Sequence, residues 1–271
     1  MNNSRVSPDF AAQNLLEELN VKAPADLRDL EVLAYYRDAL VRYARLDGAE
    51  ARLSVAGRRA IITVSDEVQN FHRRRFSIAH ELGHLEMHRY SSSISICTSQ
   101  DLNQWDASAQ NLEQEANAFA AAFLLPQSMF APLCGLDDPS LDVVSQLANK
   151  FWTSLTATAI RYVRFCPEPV AIVYSQGGRI KWFVRSATFE ELHVFIEKNV
   201  RLDPLSRAAH LREGKQTHPP KAVPVSAWLA NGRHKDNAEI MEHSLFIEAY
   251  GAVLTLLWVN DDIFDDDEYL W

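Results

Sequence analysis

Residues 73 to 89 read RRRFSIAHELGHLEMHR, with His80 and His84 four apart and Glu81 directly after the first. On a helix, positions i and i+4 project from one face about one turn apart, so both imidazoles can aim a ring nitrogen at a single ion. Zinc suits such a pair. Glu81, one position on, points beside the ion rather than at it and is placed to take a proton from water. This is the pattern for metal-assisted amide hydrolysis. The metal lowers the water's pKa and polarises the scissile carbonyl, while Glu81 accepts the proton and later delivers it to the leaving amine. The bland alternative is an ordinary helix with polar residues for solvation. Against it, Ile78, Leu82 and Leu85 give the helix a buried side, Gly83 keeps bulk away from the metal face, and Arg73, Arg74, Glu86 and Arg89 can stay in water.

Two histidines do not hold a catalytic zinc, which normally has three protein ligands and a water. His88 continues the i+4 series but lies about 12 Å along the axis from His80, too far to share the ion, and reads as an outer or solvent-facing residue. A chain reversal at glycine, as in metzincins, does not fit, because Leu85, Glu86 and Met87 occupy the positions it would need. In LEQEANAFAAAFLLP, Glu113, Ala116, Asn117 and Ala120 fall at i, i+3, i+4 and i+7, a face that is polar at its start and small beyond. The small residues allow close approach to the HELGH helix. Glu113 can then be the third ligand, and Asn117 can hydrogen-bond the outer nitrogen of a ligating histidine. Glu115 reads as solvent-exposed but stays open as the alternative ligand. Glutamates in a first turn also arise simply because the helix dipole favours them.

These residues need elements to hold them. Ser7-Pro8 caps a first helix running to about Asn20, and Pro24 opens a second helical pattern. LVRYARL, ARLSV and AIITV alternate as strands across Asp47-Gly48 and Ala56-Gly57, which predicts a three-stranded antiparallel meander leading into the HELGH helix. Residues 91–110 read as a loop, residues 111–125 as a helix stopped at Pro126, and residues 141–165 as two helices joined at FWTS. From Pro167 the texture changes. A hairpin crosses Gly177-Gly178, a helix is expected from Thr188 to about Val200, HPPKAVP reads as a connector, and two alternating runs meet near Gly251.

The chain has 271 residues, 47% hydrophobic and 23% charged, and a formal charge of -9, which argues against a broad nucleic-acid footprint. Six of the acids lie in the tail DDIFDDDEYLW, which reads as disordered, or as a segment that binds a basic partner or covers the active cleft. Cys97, Cys134 and Cys166 are odd in number and widely spaced, so neither a disulfide framework nor a cysteine metal site is indicated. The start carries no signal-peptide pattern and the longest apolar run, residues 251–259, is about half a bilayer span. No membrane association is expected, and a cytoplasmic location is.

Three blocks, RRRFSIAHELGHLEMH, EQEANAFAAAFLLP and LANKFWTSLTATAIRYVRF, with the strands ending in AIITVS before them, resemble the ImmA/IrrE-type metallo-endopeptidases over about residues 10–165. The resemblance implies an α+β fold: a zincin-like metallopeptidase domain over 1–165, with the meander, the HExxH helix and a helical bundle, then a smaller α+β domain over 166–271. It implies one Zn2+ per chain held by His80, His84 and, by the ExxAN pattern, Glu113, with Glu81 as catalytic base: a gluzincin-like set. It further implies cytoplasmic proteins that cleave or otherwise inactivate helix-turn-helix repressors in stress responses or mobile elements. The expected partner is thus a protein substrate, a repressor or antitoxin-like regulator, without direct nucleic-acid binding.

Residues 144–165 could pass for a DNA-reading helix-turn-helix, but Arg161 and Arg164 are too little positive charge for a recognition helix. In the family this segment belongs to the peptidase domain. An oxyanion donor could come from His193, His210, His218, His234, His243, Tyr35, Tyr36 or Tyr90, among which the sequence does not choose. Residues 166–271 suit a regulatory or docking role. A second reading of the whole is a non-proteolytic module that binds and sequesters a regulator. Glu81 favours the enzyme, since a structural zinc site needs no adjacent base.

Overall fold

A computed structural model of the chain describes residues 6–88, 96–97 (backbone), 112–212, 217–230, 235 and 237–259. Apart from residues 96–97, which pair as a short strand, the expected loop over 91–110 lies outside these residues, as do Arg89, Tyr90, His234 and the acidic tail from Asp261. The fold is α+β, in two compact units: Met1–Phe130 with Ala148–Ser154, and Ala131–Leu147 with Leu155–Trp271. The boundary expected at 165/166 falls inside the second of these.

In the first unit, α1 (Pro8–Glu18) starts where the Ser7 side chain accepts from the Phe10 N–H and Pro8 fills the first turn; it buries Ala12, Leu15 and Leu16. A 3-10 turn at Pro24–Leu27 leads to α2 (Leu30–Tyr35), capped by Asp29, which accepts from the N–H groups of Glu31 and Val32. Strands β1 (Ala39–Ala44), β2 (Ala51–Ala56) and β3 (Arg59–Ser65) follow, then α3 (Phe71–His88), β4 (Ile96–Cys97), α4 (Leu112–Leu124) and α5 (Gln127–Phe130). The sheet order is β1-β3-β2-β4.

The strands do not form the antiparallel meander that their alternation suggested. β2 and β3 make the hairpin, Ala51↔Val64 to Ala56↔Arg59, turning at Gly57 with φ +62. β1 lies on the other side of β3 and runs parallel to it, Ala39↔Ala60 to Ala44↔Ser65. The link over residues 45–50 is longer than a two-residue turn, and it has only two strand spacings, about 10 Å, to cross over the end of β3. Asp47-Gly48 supplies a bend within that link, Gly48 having φ +72. Burial points to the same order: Ile62, Thr63, Val64 and Ser65 of β3 are buried, as a central strand requires, whereas Leu40, Arg42 and Tyr43 of β1 are exposed.

α3 packs on β2 and β3 through one side and on α4 and α1 through others. Ile78, Ala79, Leu82 and Leu85 are buried along it, as are Ala116, Phe119, Ala120 and Phe123 of α4. Near its start Arg75 is buried, and its guanidinium donates to the carbonyls of Leu27 (2.8 Å), Arg28 (2.6 Å) and Trp152 (3.0 Å). One cation thereby ties α3 to the turn before α2 and to residue 152.

The second unit contains α7 (Leu155–Phe165) and shares α6 (Leu141–Phe151) with the first. β5 (Val170–Gln176) and β6 (Arg179–Arg185) form the expected hairpin across Gly177-Gly178. Then come α8 (Ala187–Glu191), β7 (Thr217–Pro224), β8 (Glu239–Ile247) and β9 (Ala252–Trp258), in an antiparallel sheet of order β6-β5-β9-β8-β7. Two expectations fail here. The helix begins at the Ser186 cap but ends at Glu191 rather than near Val200: His193 and Asn199 take positive φ (53° and 65°), and Phe195 bridges to Ala230. The proline-rich connector is an edge strand, where a missing N–H is tolerated, and its register shifts between His218 and Lys221, around the paired prolines.

Candidate metal centre

Positions 80, 84 and 88 of α3 line up their imidazoles in a column, edge-on or tilted to one another, with ring centroids 4.7 Å and 5.2 Å apart. α4 reaches this column with Glu113, Glu115 and Asn117. The close approach depends on Gly83: a Cβ there would lie 3.0 Å from Phe119 Cδ1 and 3.2 Å from the Ala116 Cα. Gly83 thus serves the contact with α4 rather than the metal face assigned to it from the sequence. Ala116 and Ala120 do what their size suggested.

His80 Nε2 lies 3.1 Å and His84 Nε2 3.3 Å from one oxygen of Glu113, and the two nitrogens are 3.0 Å apart. His80 Nδ1 stands 2.9 Å from Asn117 Oδ1, which can only accept, so the proton of the neutral ring sits on Nδ1 and Nε2 keeps its lone pair. Both histidines are buried, and so is Glu81 beside them. Lone-pair atoms this close repel unless positive charge lies between them, as a proton or a metal ion. A tetrahedral centre with bonds of about 2.0–2.1 Å holds its ligand atoms about 3.3 Å apart, so the triangle fits an ion of zinc's size and the donor set fits its chemistry. Burial raises the Glu113 carboxyl pKa; with no ion between the ligands, protons on the facing nitrogens of His80 and His84 would instead hold it well below the usual carboxylate range, the place that a metal's charge takes when both rings are neutral.

His80, His84, Glu113 and Asn117 are therefore together, as their spacing suggested, and Glu81 is buried directly beside His80. Glu115 is only partly exposed, not the solvent-facing residue expected. It pairs with His88 (Nε2···Oε2 2.8 Å), whose other nitrogen is 3.1 Å from His84 Nδ1. His88 is likewise mostly buried, its side chain 7% exposed. The sequence signal for this second pair is the i+8 position of His88 on the same helical stripe. Tyr35 and Tyr36 are exposed beside β1. His193, His210, His218 and His243 belong to the second unit, where His210 donates to the Pro204 carbonyl and His243 accepts from the Leu141 N–H.

No curated protein matches the chain. Among solved structures it is similar to a chain described as a Mycobacterium tuberculosis transcriptional regulator, with a TM-score of 0.54 and 16% identity over 92% of this chain and 86% of that one, a likeness of fold alone. Residues 34–162 match the family model of the IrrE N-terminal-like domain, a metallopeptidase family, and this span includes α3, α4 and all the residues of the candidate metal centre. That match over residues 34–162 supports the resemblance of this part of the chain to the ImmA/IrrE family.

Proposed function

We propose that the chain is a cytoplasmic zinc-dependent endopeptidase of the HExxH-plus-glutamate type, with His80, His84 and Glu113 as ligands and Glu81 as catalytic base. The observation that carries this reading is the triangle of two imidazole nitrogens and one carboxylate oxygen, 3.0–3.3 Å on a side, with a buried glutamate adjacent to its first histidine. When bound, zinc supplies a Lewis acid that acidifies water and polarises the scissile carbonyl. Glu81 takes the proton as water attacks that carbonyl and returns it to the leaving amine. Asn117 keeps His80 in the ligating tautomer throughout.

The substrate in this reading is a specific protein, a helix-turn-helix repressor or antitoxin-like regulator, cleaved in a stress, mobile-element or defence response. The family supports a protein substrate, and the fold neighbour's description as a transcriptional regulator is compatible with a regulatory setting. The proposed ligands and base are residues of the first unit, which in this reading leaves substrate docking or regulation to the second. A net charge of -9 suits a basic DNA-binding partner, which would associate faster at low salt.

Glu81→Gln decides between the enzyme and a sequestering module. It keeps size and hydrogen-bonding reach but cannot take a proton from water, so zinc content should be unchanged while turnover falls about a hundredfold or more. The variant should retain the regulator uncleaved, and cells carrying it should fail to relieve repression. An intact cellular response with Glu81→Gln, together with loss of response when regulator binding is disrupted, would replace the peptidase by the binding module.

A further inference from the structure

The zinc reading uses one nitrogen of His84 and leaves open what holds the other. Here the column of imidazoles continues. His84 Nδ1 is 3.1 Å from His88 Nδ1, and His88 Nε2 is 2.8 Å from Glu115 Oε2. Two facing nitrogens need one proton between them. A carboxylate at the far end accepts but does not donate, so the neutral His88 ring carries its proton on Nε2 and presents a lone pair at Nδ1. The proton between the rings then belongs to His84 Nδ1, which leaves the lone pair of His84 on Nε2, the atom that faces Glu113 and His80. The sequence of donors runs one way: His84 Nδ1–H to His88, His88 Nε2–H to Glu115.

We propose that Glu115 and His88 are positioning residues for the metal centre: a carboxylate–imidazole chain that fixes His84 in its ligating tautomer, as Asn117 does for His80. The inference rests on the zinc reading above and deepens it. It explains why a second glutamate of the first turn of α4 is drawn in from solvent: Glu113 serves the inner side of the histidine column and Glu115 its outer end. The two histidines are thereby held by different means, one by a direct amide contact and the other through an intervening ring. His88 has no place in the ligand triangle itself, since it meets His84 on the nitrogen turned away from Glu113.

The test is zinc affinity of the full chain, measured by competition with a chromophoric chelator, alongside thermal unfolding of the metal-stripped protein. His88→Leu should weaken zinc about ten- to a hundredfold, the range for loss of an outer partner to a ligating histidine. His88→Asn, which keeps an acceptor near the Nδ1 position, should recover much of that loss. Glu115→Gln should weaken zinc severalfold, and the double variant with His88→Leu should bind no worse than His88→Leu alone, because the glutamate acts through the histidine. Nitrogen-15 spectra of labelled histidine in the zinc-loaded wild type should place the His84 proton on Nδ1. Wild-type zinc affinity in His88→Leu, additive losses in the double variant, or a His84 proton on Nε2 would overturn the inference. Should His88→Leu fail to fold, Glu115→Gln and His88→Asn carry the comparison: near-wild-type affinity in Glu115→Gln with a large loss in His88→Asn refutes the chain. A wild type that takes up no zinc at all would instead remove the metallopeptidase reading, and this inference with it.

Discussion

The carbonyl oxygen of Asn117, 2.9 Å from His80 Nδ1, fixes which nitrogen of that ring can bind a metal. Asn117→Leu should therefore cost ten- to a hundredfold in zinc affinity, whereas Asn117→Asp, which still accepts, should cost much less; chelator competition separates them. Purified wild type should carry about one zinc per chain, and His80→Ala, His84→Ala or Glu113→Ala should reduce elemental zinc nearly to nothing, since two ligands hold it poorly. Glu115→Ala should leave zinc bound but weaker. A zinc-free Glu115→Ala beside a zinc-replete Glu113→Ala would reverse the assigned ligands. Much of this centre was legible because helix phase is arithmetic: four residues separate His80 from His84 and Glu113 from Asn117. What phase could not supply was the partner of Glu115. Its carboxylate bonds His88 on a different helix, and that contact depends on how α3 and α4 pack rather than on either helix alone.

At the scale of elements, the centre exists because α3 and α4 come close enough to share it. Gly83→Ala places a methyl 3.2 Å from the Ala116 Cα and 3.0 Å from Phe119 Cδ1. The backbone contact cannot rotate away, so α4 must shift and take Glu113 with it. The variant should lose about 1–3 kcal/mol of stability and weaken zinc, although residue 83 is no ligand; urea unfolding with and without chelator measures both effects. Arg75→Met keeps much of the volume but leaves the carbonyls of Leu27, Arg28 and Trp152 without their donor, and should cost about 3 kcal/mol. Strand existence was readable from alternation, but neighbours were not. Period-two patterning says which face is buried and is silent on which edge pairs, so the chemistry of Asp47-Gly48 suggested a hairpin where a longer link carries β1 past β3. The same holds for β7: prolines predict a connector, and an outer position in the sheet lets them stay in a strand.

At the scale of the molecule, stability should depend on pH through a group far along the chain from the proposed metal ligands. His243 is buried on β8, its Nδ1 accepts from the Leu141 N–H at the start of α6, and burial lowers its pKa below the ordinary 6.5. The unfolded chain then takes up the proton first as pH falls, so the stability that neutral His243 contributes is present above about pH 6.5 and is lost below it. Melting temperature should fall between pH 7.5 and 5, and His243→Asn, an acceptor that does not titrate, should flatten that fall. An identical slope in the variant would assign the dependence to other groups.

The polypeptide passes between the two compact units more than once: residues 131–147 belong to the second, 148–154 return to the first, and from Leu155 the chain is in the second again. Evolution and engineering commonly treat a catalytic module as a cassette, moved by cutting at one junction and rejoining elsewhere. This molecule resists that operation. A fragment ending at residue 165 keeps every proposed metal ligand, yet it carries α7, a helix of the second unit with Ala159, Ile160, Tyr162 and Val163 buried in the full chain, and it lacks the strands of that unit. Such a fragment should aggregate on expression although its metal site is complete. Shuffled descendants of the chain should therefore inherit the two units together, with new sequence fused at the ends rather than at an internal joint.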